Sequence, residues 1–378
     1  MLLALTALLG AVEPANAQPV PDAGWVRMPQ LHGRITAHEL GLVINTADPY
    51  SVAVGEHYAK RRGIPAGQVL RVDLPLRASL SREEFLALDQ AIRTQMPEQV
   101  NGLALAWVQP FAVECNSLTG ALGLGLQPDL CTRSCAPTRA SPYVNYFGAR
   151  PWSVLGLRPS MQLAARSVPA ALAMIERGIA ADHTQSRARL AGLEPAMAYL
   201  AQTPDAARNV RERLFPPAGN VPDAIGFEVA RVRSEALPLM RRTLVYETGL
   251  ARVPGPLNGD WLPGALADHL TSFGGQLDRP AGDGQMNVLE WIDSGATASY
   301  GTVSEPCNHL QKFPHPQVLI QAYSQGLSAL EAYWHSVFWP GQGVFVGEPL
   351  AAPFAPSPVA VSMPTSDLLP VAKPAATH

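Results

Sequence analysis

Reactive side chains are concentrated between residues 258 and 309 of this chain. The stretch contains three polar, glycine-containing segments, at residues 258–264, 268–275 and 301–309. If these segments are the loops that follow adjacent strands of a sheet, they meet at one edge of it, where α/β proteins build their sites. We therefore take this stretch as the candidate site.

The residue types in these segments are those of an activated nucleophile. They are, in chain order, Asp268, His269, Ser272, Glu305, Cys307 and His309. A histidine acts as general base toward a serine or cysteine, and a carboxylate orients its imidazole. The pattern predicts a hydrolase in which His269, or alternatively His309, serves Ser272 or Cys307.

Each of these residues also has a structural interpretation. His269 can be a buried, hydrogen-bonded histidine, because geometry rather than residue type makes a base. Ser272 can bond the backbone of a tight turn before Phe-Gly-Gly. Cys307 can be a disulfide partner, since an exposed thiolate is quickly oxidised outside the cytoplasm. Glu305, which precedes a proline, can simply end a strand.

Four cysteines are present, Cys115, Cys131, Cys135 and Cys307. An even number in an exported protein is most simply interpreted as two disulfides, and the sequence leaves all three pairings open. The three-residue spacing between Cys131 and Cys135 is a poor zinc signal, because no His or Cys pair stands nearby at finger spacing. We predict no metal and no cofactor.

The elements that must position these residues begin with a βαβαβ pattern. Strands are predicted at 41–45, 69–74 and 103–108; one helix is capped by Ser51, and a second opens with the capping box Ser81–Glu84. This order indicates a parallel or mostly parallel sheet flanked by helices, with long Pro/Gly-rich loops. Asn45 and Asp48 would then lie at the carboxyl edge, and with Asp268 we predict that they bind a ligand.

The rest of the chain is predicted in outline. Residues 1–17 have the apolar run and small residues of a signal peptide, although the absence of Lys or Arg before Arg27 leads us to expect a natural start further upstream. Residues 18–354 form a single α/β domain with a disulfide-stapled excursion at 116–160. Later strands are expected at 244–246, 295–303 and 344–346, and one helix at 319–337. Residues 355–378 read as a disordered Pro/Ala-rich tail.

Composition excludes several classes of function. With 28 basic and 31 acidic residues, the net charge of −3 gives no electrostatic reason to expect nucleic acid as a partner. After the leader, no run approaches the ~20 apolar residues of a membrane span. We therefore expect a periplasmic or extracellular protein that is not integral to the membrane and whose partner is an envelope protein or polypeptide.

Several motifs together resemble a known family. They are the segments at 42–45, 48–51, 58–65, 268–275, 301–307, 312–314 and 346–350. The chain up to Phe354 is similar to an uncharacterised family of exported proteins from bacteria that possess an exosortase and its PEP-CTERM sorting substrates. The resemblance implies a role in the cell envelope and supplies no activity.

A more distant resemblance is to caspase-like and gingipain-like cysteine peptidases. It rests on the early strand and helix ending in Arg62-Gly-Ile-Pro65 and on Gly347-Glu-Pro349, and it implies the same parallel-sheet core. Those enzymes need a His-Gly at one strand end, whereas the His-Gly of this chain, His32-Gly33, precedes the sheet. Two functions follow: a peptidase-like hydrolase, active or degenerate, or a non-catalytic binding or assembly factor linked to exosortase sorting or exopolysaccharide export.

Overall fold

The computed structural model describes residues 24–224, 226–254, 260–282 and 284–357. The strands are β1 Leu40–Asn45, β2 Val69–Val72, β3 Ser79–Leu80, β4 Gly102–Leu105, β5 Ala112–Val113, β6 Asn116–Ser117, β7 Ser160–Gln162, β8 Ala196–Gln202, β9 Gly219–Asn220, β10 Phe227–Arg233, β11 Thr243–Thr248, β12 Trp261–His269, β13 Ala298–Thr302 and β14 Gly343–Gly347. The α-helices are α1 Pro49–Arg62, α2 Arg82–Gln95, α3 Leu118–Leu124, α4 Pro151–Leu155, α5 Val168–Ala181, α6 Thr184–Leu190, α7 Val288–Ser294, α8 Pro316–Ser324 and α9 Ala329–Ser336.

Across the described residues, eleven strands form one sheet. Their order is β2-β1-β4-β7-β14-β13-β12-β11-β8-β10-β9, and β3, β5 and β6 form a small second sheet. Nearly all neighbours in the large sheet are parallel; β13 and β14 run antiparallel, as do β9 and β10. The predicted fold class, a mostly parallel sheet flanked by helices, is confirmed.

β1 shows why the sheet is covered on both faces. Its side chains alternate between two hydrophobic clusters, as the two-residue period of a strand requires. Ile44 packs with Val54 of α1 in one cluster, and Val43 packs with Phe85 of α2 in the other. A strand that is apolar on both faces needs a helix on each, which the βαβαβ pattern provides.

The antiparallel pair of β13 and β14 divides the sheet into two halves of opposite direction. Thr302, at the end of β13, lies opposite Gly343, at the start of β14. β14 is parallel to β7, and through β4 to β1, whereas β12, β11 and β8 follow the direction of β13. The carboxyl ends of the two halves therefore point to opposite edges of the sheet.

Two details of the predicted helices are wrong. Helix α1 is capped by Asp48, whose Oδ1 accepts from the Tyr50 N–H, so it starts before Ser51; the Ser51 hydroxyl instead accepts from the Asn45 N–H at 2.7 Å. The single helix predicted at 319–337 is two helices, α8 and α9. They separate at Gly326, whose φ of +94° does not fit a right-handed helix.

Three long strands in the second half, β8, β10 and β12, were not predicted from the sequence. β12 has Pro263 and Gly264 in its interior and Asp268 and His269 at its end, so its sequence reads as a loop. Of the segment at 258–264, residues 258 and 259 lie outside the described residues, and the described ones do not join the predicted site. Its residues from Trp261 onward open β12, at the edge opposite to His269.

The predicted excursion is held by two disulfides that use all four candidate cysteines. Cys115 is bonded to Cys131, and Cys135 is bonded to Cys307. Helices α3 and α4 lie within residues 116–160, so the segment is more regular than its composition indicated. The second bridge fixes the excursion to the loop that follows β13.

The predicted signal peptide and most of the predicted tail, residues 1–17 and 358–378, lie outside the described residues. Residues 355–357, placed in the disordered tail by composition, are packed, because Ala355 and Ser357 are both buried. No helix in the described ranges is long and apolar enough to cross a membrane.

A buried ion pair joins the first half of the sheet to the helix that covers it. Glu348, directly after β14, is fully buried and accepts from Arg62 Nε at 3.0 Å and Nη2 at 2.6 Å. The Tyr58 hydroxyl donates to the same carboxylate at 2.6 Å, and Asp182 pairs with Arg62 Nη1 at 2.5 Å. Gly178 faces this carboxylate, where a Cβ would lie 2.4 Å from Glu348 Oε2.

Removing Glu348 should be costly because it leaves buried partners without their acceptor. We expect Glu348→Ala to lower the free energy of unfolding by about 3 kcal/mol. Glu56→Ala, which breaks the exposed Arg71–Glu56 pair, should cost less than about 1 kcal/mol. Urea denaturation of both variants checks the difference, and equal costs would contradict the structural role of Glu348.

The two disulfides should contribute unequally to stability. They close loops of 16 and 172 residues, for which chain entropy gives about 3 and 5 kcal/mol. We expect the double variant Cys135→Ser/Cys307→Ser to unfold at lower urea than Cys115→Ser/Cys131→Ser. Thiol titration of the denatured, unreduced wild-type chain should find no free thiol.

Candidate functional site

The loops after β12 and β13 meet, as the sequence predicted. The Gly275 N–H donates to the Thr302 carbonyl at 2.9 Å. The Thr302 hydroxyl contacts the carbonyls of Thr271, at 3.2 Å, and of Ser272, at 2.8 Å. A Cβ on Gly301 would lie 2.6 Å from the Gly275 nitrogen, so glycine is needed where the two loops cross. Residues 268–275 and 301–309 thus share one edge of the sheet.

His269 is held by two partners that the sequence did not indicate. The ring is 1% exposed, with Nε2 3.0 Å from the Met286 carbonyl and Nδ1 accepting from the Trp291 indole N–H at 2.9 Å. Since a carbonyl only accepts and an indole N–H only donates, Nε2 must carry the proton. Asp268 and Glu305, which were expected to orient the imidazole, are not its hydrogen-bond partners.

Burial also makes His269 a weak base. Desolvation lowers its pKa to about 3, and the nearby positive charges of Arg211, Arg252 and Arg208 add to the decrease. A general base works best with a pKa near the operating pH. Through its two contacts His269 ties β12 to α7, and its pKa is far below the one that suits a general base.

Ser272 and Glu305 occupy turns. Ser272 is 7% exposed, and its carbonyl is the acceptor for Thr302 described above. Glu305 Oε1 accepts from the Cys307 N–H at 2.7 Å and so closes a turn in which Cys307 has a φ of +57°. The Cys307 sulfur is bonded to Cys135 and is not available as a nucleophile. His309 lies edge-on to Trp339, with ring centroids 6.1 Å apart.

Asn45 and Asp48 do not lie beside this cluster. Asn45 ends β1 and Asp48 follows it, at the edge of the sheet opposite to His269. The Asn45 side chain holds the loop after β2, with Oδ1 accepting from the Leu74 N–H at 2.9 Å and Nδ2 donating to the Leu74 carbonyl at 3.0 Å. Asp48 is the cap of α1. The binding role predicted for this pair therefore has no shared cleft with Asp268.

The charged centre of this edge is a buried group that the sequence did not bring together. The 3-10 helix Asn209–Leu214 follows β8 and places Arg211 against Asp268 of β12, with Nη1 to Oδ1 at 2.5 Å. Glu247 of β11 is paired in register with Asp268, and its Oε1 lies 3.6 Å from the same guanidinium nitrogen. All three side chains are at most 1% exposed.

Ionising both of the buried carboxyl groups that face Arg211 is energetically unfavourable. Burial raises the pKa of Glu247 well above 4.5 and also raises that of Asp268, while Arg211 opposes both increases. Because Asp268 makes the close contact with Arg211, we expect it to hold the charge and Glu247 to hold the proton that the pair shares. The sequence signal for the Arg211, Glu247 and Asp268 group was Glu247, a charged residue inside the apolar run Leu-Val-Tyr-Glu-Thr.

A cleft opens beside the residues that hold His269. It has a volume of about 390 Å³ and includes Met286 and Trp291 in its lining. Its charged residues are paired with one another or with Arg166: Arg252 Nη1 lies 2.9 Å from Glu290 Oε2, and Arg166 Nε lies 2.8 Å from Asp293 Oδ2. In the described part of the chain, no three His, Cys, Asp or Glu side chains are grouped as a metal site requires.

The shared proton predicts a non-additive response to mutation. At pH 5, Glu247→Gln keeps one carboxylate for Arg211 and should change stability by less than about 1 kcal/mol. At the same pH, Glu247→Gln/Asp268→Asn leaves a buried arginine without a counter-ion and should cost about 3–5 kcal/mol. The cost of Asp268→Asn alone should stay well below that of the double variant, because Glu247 can ionise in its place. Additive costs in urea denaturation would contradict the shared proton.

The raised pKa of Glu247 determines how the stability of the protein changes with pH. Above pH 4.5 the unfolded Glu247 loses its proton while the folded one keeps it, so wild-type stability falls as the pH rises toward the folded pKa. The slope from this group is at most about 1.4 kcal/mol per pH unit. Glu247→Gln should lack this contribution, so its stability relative to wild type should increase between pH 5 and pH 8.

Comparison with known proteins adds no further assignment. No protein-family model matches the chain, and no curated protein matches it. The contacts of His269, Cys307 and the Arg211 group are therefore the observations that bear on function.

Proposed function

We propose that this protein is an exported, non-catalytic envelope factor that binds a polypeptide partner. The partner belongs to the protein-sorting or exopolysaccharide-export machinery of exosortase-bearing bacteria, in line with the family resemblance. One observation carries the non-catalytic part: the histidine predicted as general base has both ring nitrogens bonded to Met286 and Trp291.

The disulfides support a location outside the cytoplasm. Reducing systems keep cytosolic thiols free, whereas exported proteins keep such bridges. All four cysteines are paired, including Cys307. The signal peptide predicted at residues 1–17 remains a prediction, and N-terminal sequencing of the exported protein tests its cleavage before Gln18.

The hydrolase alternative now depends on Ser272. With Cys307 in a disulfide, Ser272 is the remaining nucleophile among the predicted residues. With His269 as its base, catalysis would need that ring to leave its two partners and regain an ordinary pKa. His309, the alternative base, lies edge-on to Trp339. In its buried position the His269 ring costs roughly 5 kcal/mol more to protonate than an imidazole of pKa 6.5, since its pKa is about 3 and each pKa unit corresponds to about 1.4 kcal/mol. This cost favours the binding role over the hydrolase.

Complementation of a deletion strain separates the two roles. We expect the chain with Ser272→Ala to restore surface sorting and exopolysaccharide export fully, because the proposed function needs no nucleophile. Ser153→Ala, at an exposed serine of α4, is the matched control. Loss of complementation by a folded Ser272→Ala protein, together with labelling of wild-type Ser272 by a fluorophosphonate, would establish the hydrolase instead.

A further inference from the structure

The first strand of the sheet order, β2, has a free edge. Within the described residues β1 is the strand that pairs with it. The Val72 carbonyl accepts from the Thr46 N–H at 2.8 Å and so faces β1. Because backbone groups alternate sides along a strand, the N–H and C=O of Arg71 face away from β1. They are the groups with which an added strand would pair.

A groove lies on each face of this strand. On the α1 side, a groove of about 540 Å³ is lined by Val69 and Arg71 of β2, with Ile64 and Lys60. On the α2 side, a groove of about 340 Å³ is lined by Val72 and Leu74 and by residues of α2 that include Leu88. Val69 and Arg71 of β2 therefore line one groove, and Val72 lines the other, on the side where Leu70 packs with α2. Side chains of an added strand would alternate in the same way.

The two grooves have opposite charge once their internal ion pairs are set aside. On the α1 side, Arg71 pairs with Glu56 at 3.2 Å, which leaves Lys60 and a charge of +1. On the α2 side, Glu84 pairs with Arg77, which leaves Asp73 and a charge of −1. A strand with an acidic residue toward α1 and a basic residue toward α2 complements both.

We propose that the free edge of β2 binds an extended segment of another polypeptide as an added parallel or antiparallel strand. The segment carries β-branched apolar residues and places an acidic and a basic residue on opposite faces. This proposal deepens the binding role above and rests on it. Backbone pairing supplies affinity, and the two grooves select the side chains.

The exposed positive charge of Arg71 does not prevent another strand from pairing with the free edge of β2. Charged residues often protect edge strands from association. Here the Arg71 side chain leans into the α1-side groove, where it meets Glu56, and both side chains are at least half exposed. Displacing such a pair costs about 1 kcal/mol or less, which a few backbone hydrogen bonds offset.

Fluorescence anisotropy with the full chain and a synthetic peptide tests the edge. The probe is a labelled eight-residue peptide of Val and Thr with adjacent Asp and Lys at its centre. Arg71→Pro removes the outward N–H without removing a bond to β1, whereas the matched variant Arg71→Ala keeps it. We expect Arg71→Pro to bind the peptide at least tenfold more weakly than Arg71→Ala, because both variants lose the side chain and the proline variant also loses the N–H.

Two further measurements sharpen the result. Methylating alternate backbone nitrogens of the peptide should abolish binding if the strand pairs through its backbone, and Lys60→Glu should weaken binding about threefold to tenfold. Equal binding by wild type and a folded Arg71→Pro variant would overturn the proposal. Wild-type dimers that Arg71→Pro dissociates in sedimentation would overturn it in favour of a second copy of this chain.

The outcomes distinguish a failure of this proposal from a failure of the proposed non-catalytic binding role. If Arg71→Pro binds the peptide normally while Ser272→Ala still complements the deletion strain, the β2 edge is wrong and the binding role stands. If Ser272→Ala fails to complement, the non-catalytic role falls whatever the peptide does.

Discussion

The antiparallel pairing of β13 with β14 is the constraint on which the rest of the structure depends. In a sheet of one direction, all carboxyl ends would gather their loops at one edge and build one large site. The antiparallel pairing, in which Thr302 lies opposite Gly343, reverses the strand direction between two parallel halves of the sheet. The loops of β1 and those of β12 therefore face opposite ways. Any ligand of the second half is separated from Asn45 and Asp48 by the length of the strands.

Each half carries its own buried ionic group, and the two groups differ in charge balance. Arg62 meets Glu348 and the partly exposed Asp182, so the surplus negative charge lies near water. Arg211 meets Asp268 and Glu247 where no side chain exceeds 1% exposure, so the surplus must be cancelled by a proton. The first group clamps α1 to the end of β14. The second links β11, β12 and the turn after β8 at the edge where a catalytic site was expected.

The first half of the fold was predictable because local signals agreed there. An apolar run at 41–45, a capping box at Ser81 and turn residues after each helix all pointed to βαβ units. The second half was not, because β12 holds Pro263 and Gly264 and ends in polar residues. The loops after β12 and β13 were correctly brought together, yet the partners of His269 were not foreseen, since Met286 contributes only its backbone carbonyl. Nor could spacing reveal Arg211, which reaches Asp268 from 57 residues away.

The excursion at 116–160 is cross-linked to the loop that was predicted to carry the nucleophile. The Ser304 hydroxyl donates to the Cys115 carbonyl at 2.7 Å, and Lys312, itself buried, donates to the Ser134 carbonyl at 2.6 Å. With the Cys135–Cys307 bridge between them, these bonds fix the loop after β13 to a segment that begins beyond β4. A reactive loop must admit a substrate and adjust to its transition state. This loop is instead cross-linked, which fits the proposed binding role better than the hydrolase.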